Sequence, residues 1–471
     1  MPNLDSPQTT AGLALPVKHL LKQPPLFVDP AATVQQAAAA MQNARVGSVL
    51  ITTDPPGIVS DRDLRGRVLA ASLGPQTAIT QVMSRPLKTI DADAPAFTAL
   101  RLMLEENIHH LPVIEEGKIV GVISSTDLLF QQSSNPLYLR QTLETLSEPL
   151  ETARYSEKIG STVDMLFESG LGAAQIGQLI SSLNDVLVKR LAELGQVQLG
   201  APPANFAWIV FGSEGRLEQA LLTDQDNALV YDDSSEDISR YFTELSRLVV
   251  EGLIQAGFPR CPGGFMATNW CKPLHEWRRL FTNWIALPEP VALLDAAIFF
   301  DFRVVAGALS LESLEQIIAG AQSEKLFHSH MLNGALAFRP PLGFFNWLRS
   351  ANGDVDLKKG GIGPIVGLAR AAALAAGSRE RSTLERLRVA GASGAVLSRT
   401  SAQDLAEIFP FLLRLRLHAQ LDARKKHQMP ANSVTLAEIS TLERRHLKEA
   451  FIVIKEVQED LRAQWQLDRL G

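Results

Sequence analysis

Three things are scarce in this sequence, and each shortage removes a class of protein. Cysteine is the first: only Cys261 and Cys271 occur among 471 residues, and their spacing is neither a CxxC pair nor a zinc pattern. So few thiols exclude a disulfide-stapled scaffold and point to a reducing, cytoplasmic setting. The second is basic excess. Lys and Arg number 45 against 51 Asp and Glu, a net charge of −6, which argues against a protein that coats nucleic acid. The third is a long uninterrupted apolar run. The most apolar stretch, VALLDAAIFFDFRVVAGAL, carries Asp295, Asp301 and Arg303, so a buried helix is expected there rather than a membrane span. The opening MPNLDSPQTTAGLALP lacks a basic segment followed by an apolar core, so no signal peptide is expected. What remains is ordinary for folded protein, 46% hydrophobic and 20% charged. The length predicts two to four domains.

An internal repeat organises the first part. GIVSDRDL (57–64) recurs as GVISSTDL (121–128), 64 residues on. On that offset Ser60 maps to Ser124, Asp63 to Asp127, and Val49-Leu50 to Val113-Ile114 without a gap, which implies tandem duplication. Each copy reads as a turn, a helix, a short apolar strand, a second strand ending in Ser, and a helix opened by Asp-Leu. A hydroxyl at the strand end can bond a phosphate or ribose oxygen, and the Asp can accept from ribose hydroxyls. Both Asp residues can equally be helix N-caps. The β-α-β-β-α order resembles the CBS domain. The resemblance implies a pseudo-symmetric pair over 14–132, an adenosine nucleotide in the cleft with Ser60, Asp63, Ser124 and Asp127 as its contacts, and a homodimer through the pair. In the first copy, Asp54-Pro55-Pro56 stands where the second has Lys118-Ile119-Val120. Proline cannot donate to a ladder, so that strand is expected to be short or at an edge.

From 136 to 200 the pattern turns helical. Ile176, Leu179, Ile180, Leu183, Leu187, Leu191 and Leu194 fall on one stripe. Such a helix can relay a rearrangement between domains or belong to a neighbouring core.

The chemistry is concentrated in AWIVFGSEGRLEQALLTDQDNALVYDD, 207–233. A strand ends at Phe211, Gly212-Ser213 turns the chain, a helix is expected over 214–222, and Asp224-Gln225-Asp226 leads into a strand at 227–231. Gly212 lets the backbone approach a phosphate, the amides that follow point at it, and the Ser213 hydroxyl adds a donor. Asp224 and Asp226, two apart, face one side and can bind Mg²⁺ together with substrate phosphates. Gly-Ser, helix, Asp-x-Asp resembles the DNA polymerase β-like nucleotidyltransferases, most closely the protein-PII uridylyltransferase branch. The GSEGRxEQ…TDQDNAL string is similar to a family of nucleotidyltransferase domains that commonly follows CBS domains. That family often carries an N-terminal cyclic-nucleotide-binding domain, for which no room is expected before the first repeat. The resemblance implies that Gly212 and Ser213 hold the triphosphate of an NTP and that Asp224 and Asp226 hold Mg²⁺ or Mn²⁺. Arg216 can touch phosphates or pair with an acid.

The superfamily supplies a third carboxylate as base. Asp301, expected to be helical, is the candidate, or it pairs with Arg303 or a distant Arg. In LKKGGIGPIVGLARAAALAAG (357–377) the amides of Gly360, Gly361 and Gly363, with Lys358 and Lys359, can contact an anion, or the segment is a tight turn before a packed helix. Arg416 and Gln420, one turn apart, read as part of an amphipathic bundle helix.

The expected molecule is α+β and multidomain: a tandem CBS pair (14–132), a helical connector (136–200), a polymerase β-like nucleotidyltransferase domain (201–320) and an all-helical C-terminal domain (325–471) that closes over the nucleotide. The expected activity is transfer of NMP from an NTP to a hydroxyl, with a PII-like or other protein, or a small molecule, as acceptor. A catalytically inactive nucleotide sensor is the alternative. No nucleic-acid or membrane partner is expected.

Overall fold

The computed structural model describes residues 13, 15–125, 127–128, 136–221, 224–232, 235–428 and 430–465. The chain divides into two units, residues 1–140 with 168–171, and residues 141–167 with 172–471.

The first unit contains two three-stranded sheets of the same topology. β1 (Phe27–Val28) runs parallel to β2 (Ser48–Ile51), which pairs antiparallel with β3 (Gly57–Ser60); β4 (Ile90–Asp91), β5 (His110–Glu115) and β6 (Lys118–Ser124) repeat the arrangement. The helix between β1 and β2, Val34–Ala44, starts at a capping box in which Thr33 accepts from Gln36 N, and its counterpart is Ala96–Glu106. Ala37, Met41, Val49, Ile51, Val59 and Ile79 form one core. The register corrects the gapless repeat. Val49 pairs with Val59 and Leu111 with Ile123, so the second strands are 62 apart while the third strands keep the offset of 64. The two extra residues sit in the β5–β6 hairpin, beside a register shift between Val113 and Ile114. The strand that follows Pro55-Pro56 is indeed shorter, four residues against seven, and lies at its sheet edge.

The second unit is built around a four-stranded sheet of order β10-β7-β8-β9. Its strands are β7 (Phe206–Val210), β8 (Asn227–Tyr231), β9 (Cys271–Pro273) and β10 (Arg303–Gly307). β7 and β8 consist of buried residues throughout, as central strands covered on both faces require. The predicted stripe forms the helix Ala173–Leu199, with Ile176, Leu179, Ile180, Leu183, Leu187 and Leu191 all buried. It packs on the helix Glu236–Gln255, on β10 and on the helix Arg399–Lys425. It is therefore core of this unit, not a free-standing connector. A Cβ on Gly252 would lie 2.6 Å from Leu191 Cδ2, which is why the two long helices approach at a glycine.

The apolar stretch after 290 is not one helix. Pro290–Phe299 is helical, the chain turns at Phe300–Phe302, and Arg303–Gly307 is the edge strand β10. β-branched Val304 and Val305 favour the strand. Phe299 anchors the turn, with ring centroids 4.4 Å from Trp270 and 4.5 Å from Phe211. Among the described residues, no helix is long and apolar enough to cross a membrane.

The C-terminal part is helical apart from a two-stranded ribbon, β11 (Asp354–Asp356) with β12 (Ser433–Thr435). The ribbon leads directly into a wide helical turn, Lys358–Ile362, which continues as Gly363–Ala375.

Candidate functional site

Val210 pairs with Asn227, and beyond that pair Phe211 N donates to the Asp226 carbonyl at 3.1 Å. The two strand ends are thus tied where the chain turns at Gly212, whose φ is +60°. A Cβ on Gly212 would stand 2.8 Å from Asp226 Oδ2. The carboxylate lies over the turn, in space that only glycine leaves open. Asp224 acts electrostatically on Asp226, and both act on Lys358 from the C-terminal part. Gly212 and Asp226 are brought together, and Asp224 and Lys358 lie within electrostatic reach of Asp226. The two aspartates lie in the lead-in to β8 and not on the strand itself.

The helix expected over 214–222 is a single turn, Gly212–Gly215. Leu217 has φ +59°, and Glu218 N reaches back to the Ser213 carbonyl at 2.8 Å. Left-handed backbone at a leucine ends the helix, and tertiary bonds hold it there. Ser213 Oγ donates to Gln219 Oε1. Glu218 accepts from Thr383 N at 2.5 Å and from Thr383 Oγ1 at 2.9 Å. Arg216 donates from Nε to Glu218 at 2.8 Å and from Nη1 to Asp301 at 2.6 Å. The Glu-Gln of the motif therefore fastens the turn to itself and to the C-terminal helices.

Asp301 corrects the third-acid expectation. It is fully buried, in a turn rather than a helix, and its two oxygens receive four hydrogen bonds from three guanidiniums. Oδ1 accepts from Arg370 Nε at 3.1 Å and Arg386 Nη1 at 2.7 Å; Oδ2 accepts from Arg216 Nη1 and Arg370 Nη2, both at 2.6 Å. A carboxylate offers about four lone-pair sites, and all are used, so none is left for a metal or an incoming proton. Burial works against its charge, but the Arg370, Arg386 and Arg216 guanidiniums hold its pKa far below the usual carboxylate range. The same pairing holds Arg216 above its ordinary value despite burial, so Arg216 is a buried ion-pair residue and not a surface one. A Cβ on Gly215 would fall 2.0 Å from the Asp301 carbonyl, so glycine is needed there for this turn to pack.

Of the two roles expected for the glycine-rich stretch, the structure shows the turn before a packed helix. Gly360 and Gly361 are buried, and Cβ atoms there would meet Pro341 Cδ at 2.6 Å and Leu412 Cδ1 at 2.7 Å. The glycines serve helix packing, leaving Lys358 as the part of this segment that faces the site. Crowding and the neighbouring Arg416 lower the Lys358 pKa, while Asp224 and Asp226 raise it.

The donor set fits a hard divalent cation that shares its shell with phosphate. Asp224 and Asp226 offer oxygen only, and among the described residues no third His, Cys, Asp or Glu completes a protein cage. Burial raises the Asp226 pKa to about 6; the Cys261 thiol and Lys358 pull it down, and Asp224 pushes it up. Beneath the turn, Glu214 is buried with Asn184 Nδ2 donating to it at 3.2 Å, and burial with Asp185 nearby raises its pKa to about 8.

In the first unit, Ser60 is an N-cap and Asp63 reaches back to it. Asp63 Oδ2 accepts from Ser60 N at 2.9 Å and Ser60 Oγ at 2.7 Å. Asp127 does the same for Ser124, with Ser124 N at 2.7 Å. The capping role expected of Asp thus falls to Ser. The free oxygens meet cations, Asp63 with Arg67 at 3.3 Å and Asp127 with Lys22 at 2.6 Å. Two cavities of about 470 Å³ flank His110, one lined by Ser60, Asp63 and Arg67, the other by Lys22, Arg45, Ser124 and Asp127.

Residues 17–70 and 79–133 match the model of the CBS domain. A CBS domain-containing protein of Bacillus subtilis, YhcV, is 30% identical over 121 residues, 25% of this chain and 86% of its own. The chain belongs to the CBS domain-containing proteins. Beyond the repeats, residues 157–291 of this CBS domain-containing protein match the family described as "Putative nucleotidyltransferase DUF294". Residues 325–465 match its companion, described as "Putative nucleotidyltransferase substrate binding domain". A CBS domain-containing protein of Arabidopsis thaliana is 30% identical over 32% of this chain, which covers 29% of that protein's length. A solved CBS domain protein of Pyrobaculum aerophilum, complexed with AMP, is 30% identical over 25% of this chain and 94% of its own, with a TM-score of 0.23.

Arg416 and Gln420, expected from their spacing to be part of an amphipathic bundle helix, lie in the helix Arg399–Lys425. Both are buried, and Gln420 Oε1 accepts from Leu221 N at 3.2 Å. The available signal was an arginine among FLLRLRL at core spacing, since a buried arginine requires an anion.

Proposed function

We propose that this chain is a metal-dependent nucleotidyltransferase that moves NMP from an NTP to a hydroxyl, with adenosine-nucleotide binding at its CBS pair as the regulatory input. The observation that carries the reading is the Asp226 carboxylate seated over the Gly212 turn, with Asp224 and Lys358 acting on it. Gly212 and Ser213 receive the phosphates, and Asp224 and Asp226 hold the metal. When bound, Mg²⁺ or Mn²⁺ supplies positive charge against the reacting phosphate. The acceptor oxygen bonds to the α-phosphorus, the bond to the β-phosphate breaks, pyrophosphate leaves with that electron pair, and the hydroxyl proton passes to solvent. A PII-like protein receiving UMP is the finer reading of the acceptor. In the CBS unit, Ser60 with Asp63 and Ser124 with Asp127 take ribose hydroxyls, and the cations now on those acids turn to phosphate. A homodimer through the CBS pair, located in the cytoplasm, completes the proposal.

The test is incubation with each labelled NTP and cell extract. A labelled protein or metabolite that disappears in Asp224→Ala supports transfer. The neutralised Asp301 favours a second reading, a nucleotide sensor without turnover. Metal–NTP binding by calorimetry with no labelled product for any NTP would select it.

A further inference from the structure

The helix Arg399–Lys425 carries a buried cation that has no ion pair among the described residues. Arg416 is 4% exposed, makes no hydrogen bond or ion pair among the described residues, and its Nε is a buried donor without an acceptor there. One turn on, Gln420 is bonded to Leu221 N, which fastens this face of the helix to the segment leading to Asp224. Residues four apart share a helix face, so Arg416 is held toward the same segment. Its electrostatic neighbours are Asp356 and Arg216, and it acts in turn on Lys358. Arg216 is already matched by Asp301 and Glu218. Lys358 and Arg416 are left as neighbouring positive groups with no bonded anion among the described residues.

A buried guanidinium without partners is unfavourable, and folds keep one where a ligand completes it. Its planar fork of five donors matches phosphate. The order of groups also matters. Lys358 interacts with Asp224 and Asp226, whereas the groups acting on Arg416 are Asp356 and Arg216. A polyphosphate that starts at the carboxylate pair meets Lys358, which acts on both carboxylates, and Arg416, which acts on Lys358.

Resting on the transferase reading above, we propose that Arg416, with Lys358, receives the terminal phosphates of the donor, so that the site selects a triphosphate over a monophosphate. Pyrophosphate carries away the electron pair of the broken bond, and Arg416 faces the charge that develops on it; the guanidinium stays protonated throughout.

The experiment uses the full chain with inorganic pyrophosphate as the probe, followed by thermal melting on tryptophan fluorescence, and then ATP and AMP affinities by calorimetry, these two read in chains that also carry Asp63→Ala and Asp127→Ala so that the adenosine contacts proposed in the CBS pair do not contribute. Pyrophosphate should raise the wild-type melting temperature. Arg416→Met should abolish that rise and lower ATP affinity about tenfold or more, the scale of one charged contact, while leaving AMP affinity unchanged. Arg416→Lys, charged but without the fork, should restore only part of it. Ligand-free Arg416→Met should melt no lower than wild type, because an unpaired buried charge has been removed; a purely structural arginine would behave oppositely. A variant that melts lower and keeps the pyrophosphate response overturns the proposal, as does an unchanged ratio of ATP to AMP affinity. If no NTP yields transfer but the pyrophosphate response still needs Arg416, the transferase reading fails and the receptor stands. If transfer occurs and Arg416→Met leaves the affinity ratio intact, the receptor fails and the transferase reading stands.

Discussion

Replacing Asp301 with Asn keeps the shape of the buried turn and removes its charge. In the native protein that charge answers Arg216, Arg370 and Arg386, with contacts of 2.6 to 2.7 Å. Removing one partner of a buried ion pair costs about 3–5 kcal/mol, because the remaining charge is stranded. Here Arg370 and Arg386 are stranded together while Arg216 keeps Glu218, so the full range applies. All six tryptophans lie in the second unit, so their fluorescence in urea follows that unit alone. With a slope of about 3 kcal/mol/M, the urea midpoint should fall by about 1–1.7 M. The acid limb supplies a second signature. A carboxyl whose folded pKa is depressed contributes stability above its unfolded pKa of about 3.9 and loses it as pH falls further. Wild type should therefore lose this stabilisation below about pH 4, and Asp301→Asn should lack that component at every pH. In an Arg386→Met background the Asn substitution should cost less, since one stranded charge is gone. A midpoint shift under about 0.3 M, which at that slope is about 1 kcal/mol, would refute the account of Asp301 as the hub of the arginine cage.

Gly212→Ala places a Cβ 2.8 Å from Asp226 Oδ2 at a φ of +60°; it should destabilise by about 1–2 kcal/mol and cut metal–NTP affinity at least tenfold in calorimetry, while circular dichroism stays unchanged. Metal affinity should rise as pH climbs toward 6, because Asp226 must lose its proton to bind and its pKa is raised to about 6; Mn²⁺ titrations from pH 5 to 7.5 should show the rise and then a plateau, and a flat profile would contradict the burial argument.

Much of this protein could be read before it was folded. The repeat, the proline-shortened strand, the buried stripe of Ala173–Leu199 and the juxtaposition of Gly212 with Asp226 all arise from contacts close in sequence or from period and motif. Such signals survive in one dimension because the physics behind them is local. The single-turn helix after Ser213 could not be read so. Leu217 and Leu221 are spaced for a helix, but Glu218 and Gln219 are bound by Thr383 and Ser213 instead, and those tertiary bonds outweigh propensity. The edge strand at Arg303–Gly307 was hidden in the same way inside an apolar run whose composition suits either structure.

The amino-acid order alone determined which chemistry is possible: a glycine turn, two aspartates two apart, and two Ser-x-x-Asp strand ends. Only the tertiary structure decided how the charges are used, because a charge acts through its distance to others and not through its place in the chain. Asp301 became the anion of a cage with Arg216, 85 residues away, and with Arg370, 69 residues away, whereas Arg416 was buried with no bonded anion among the described residues.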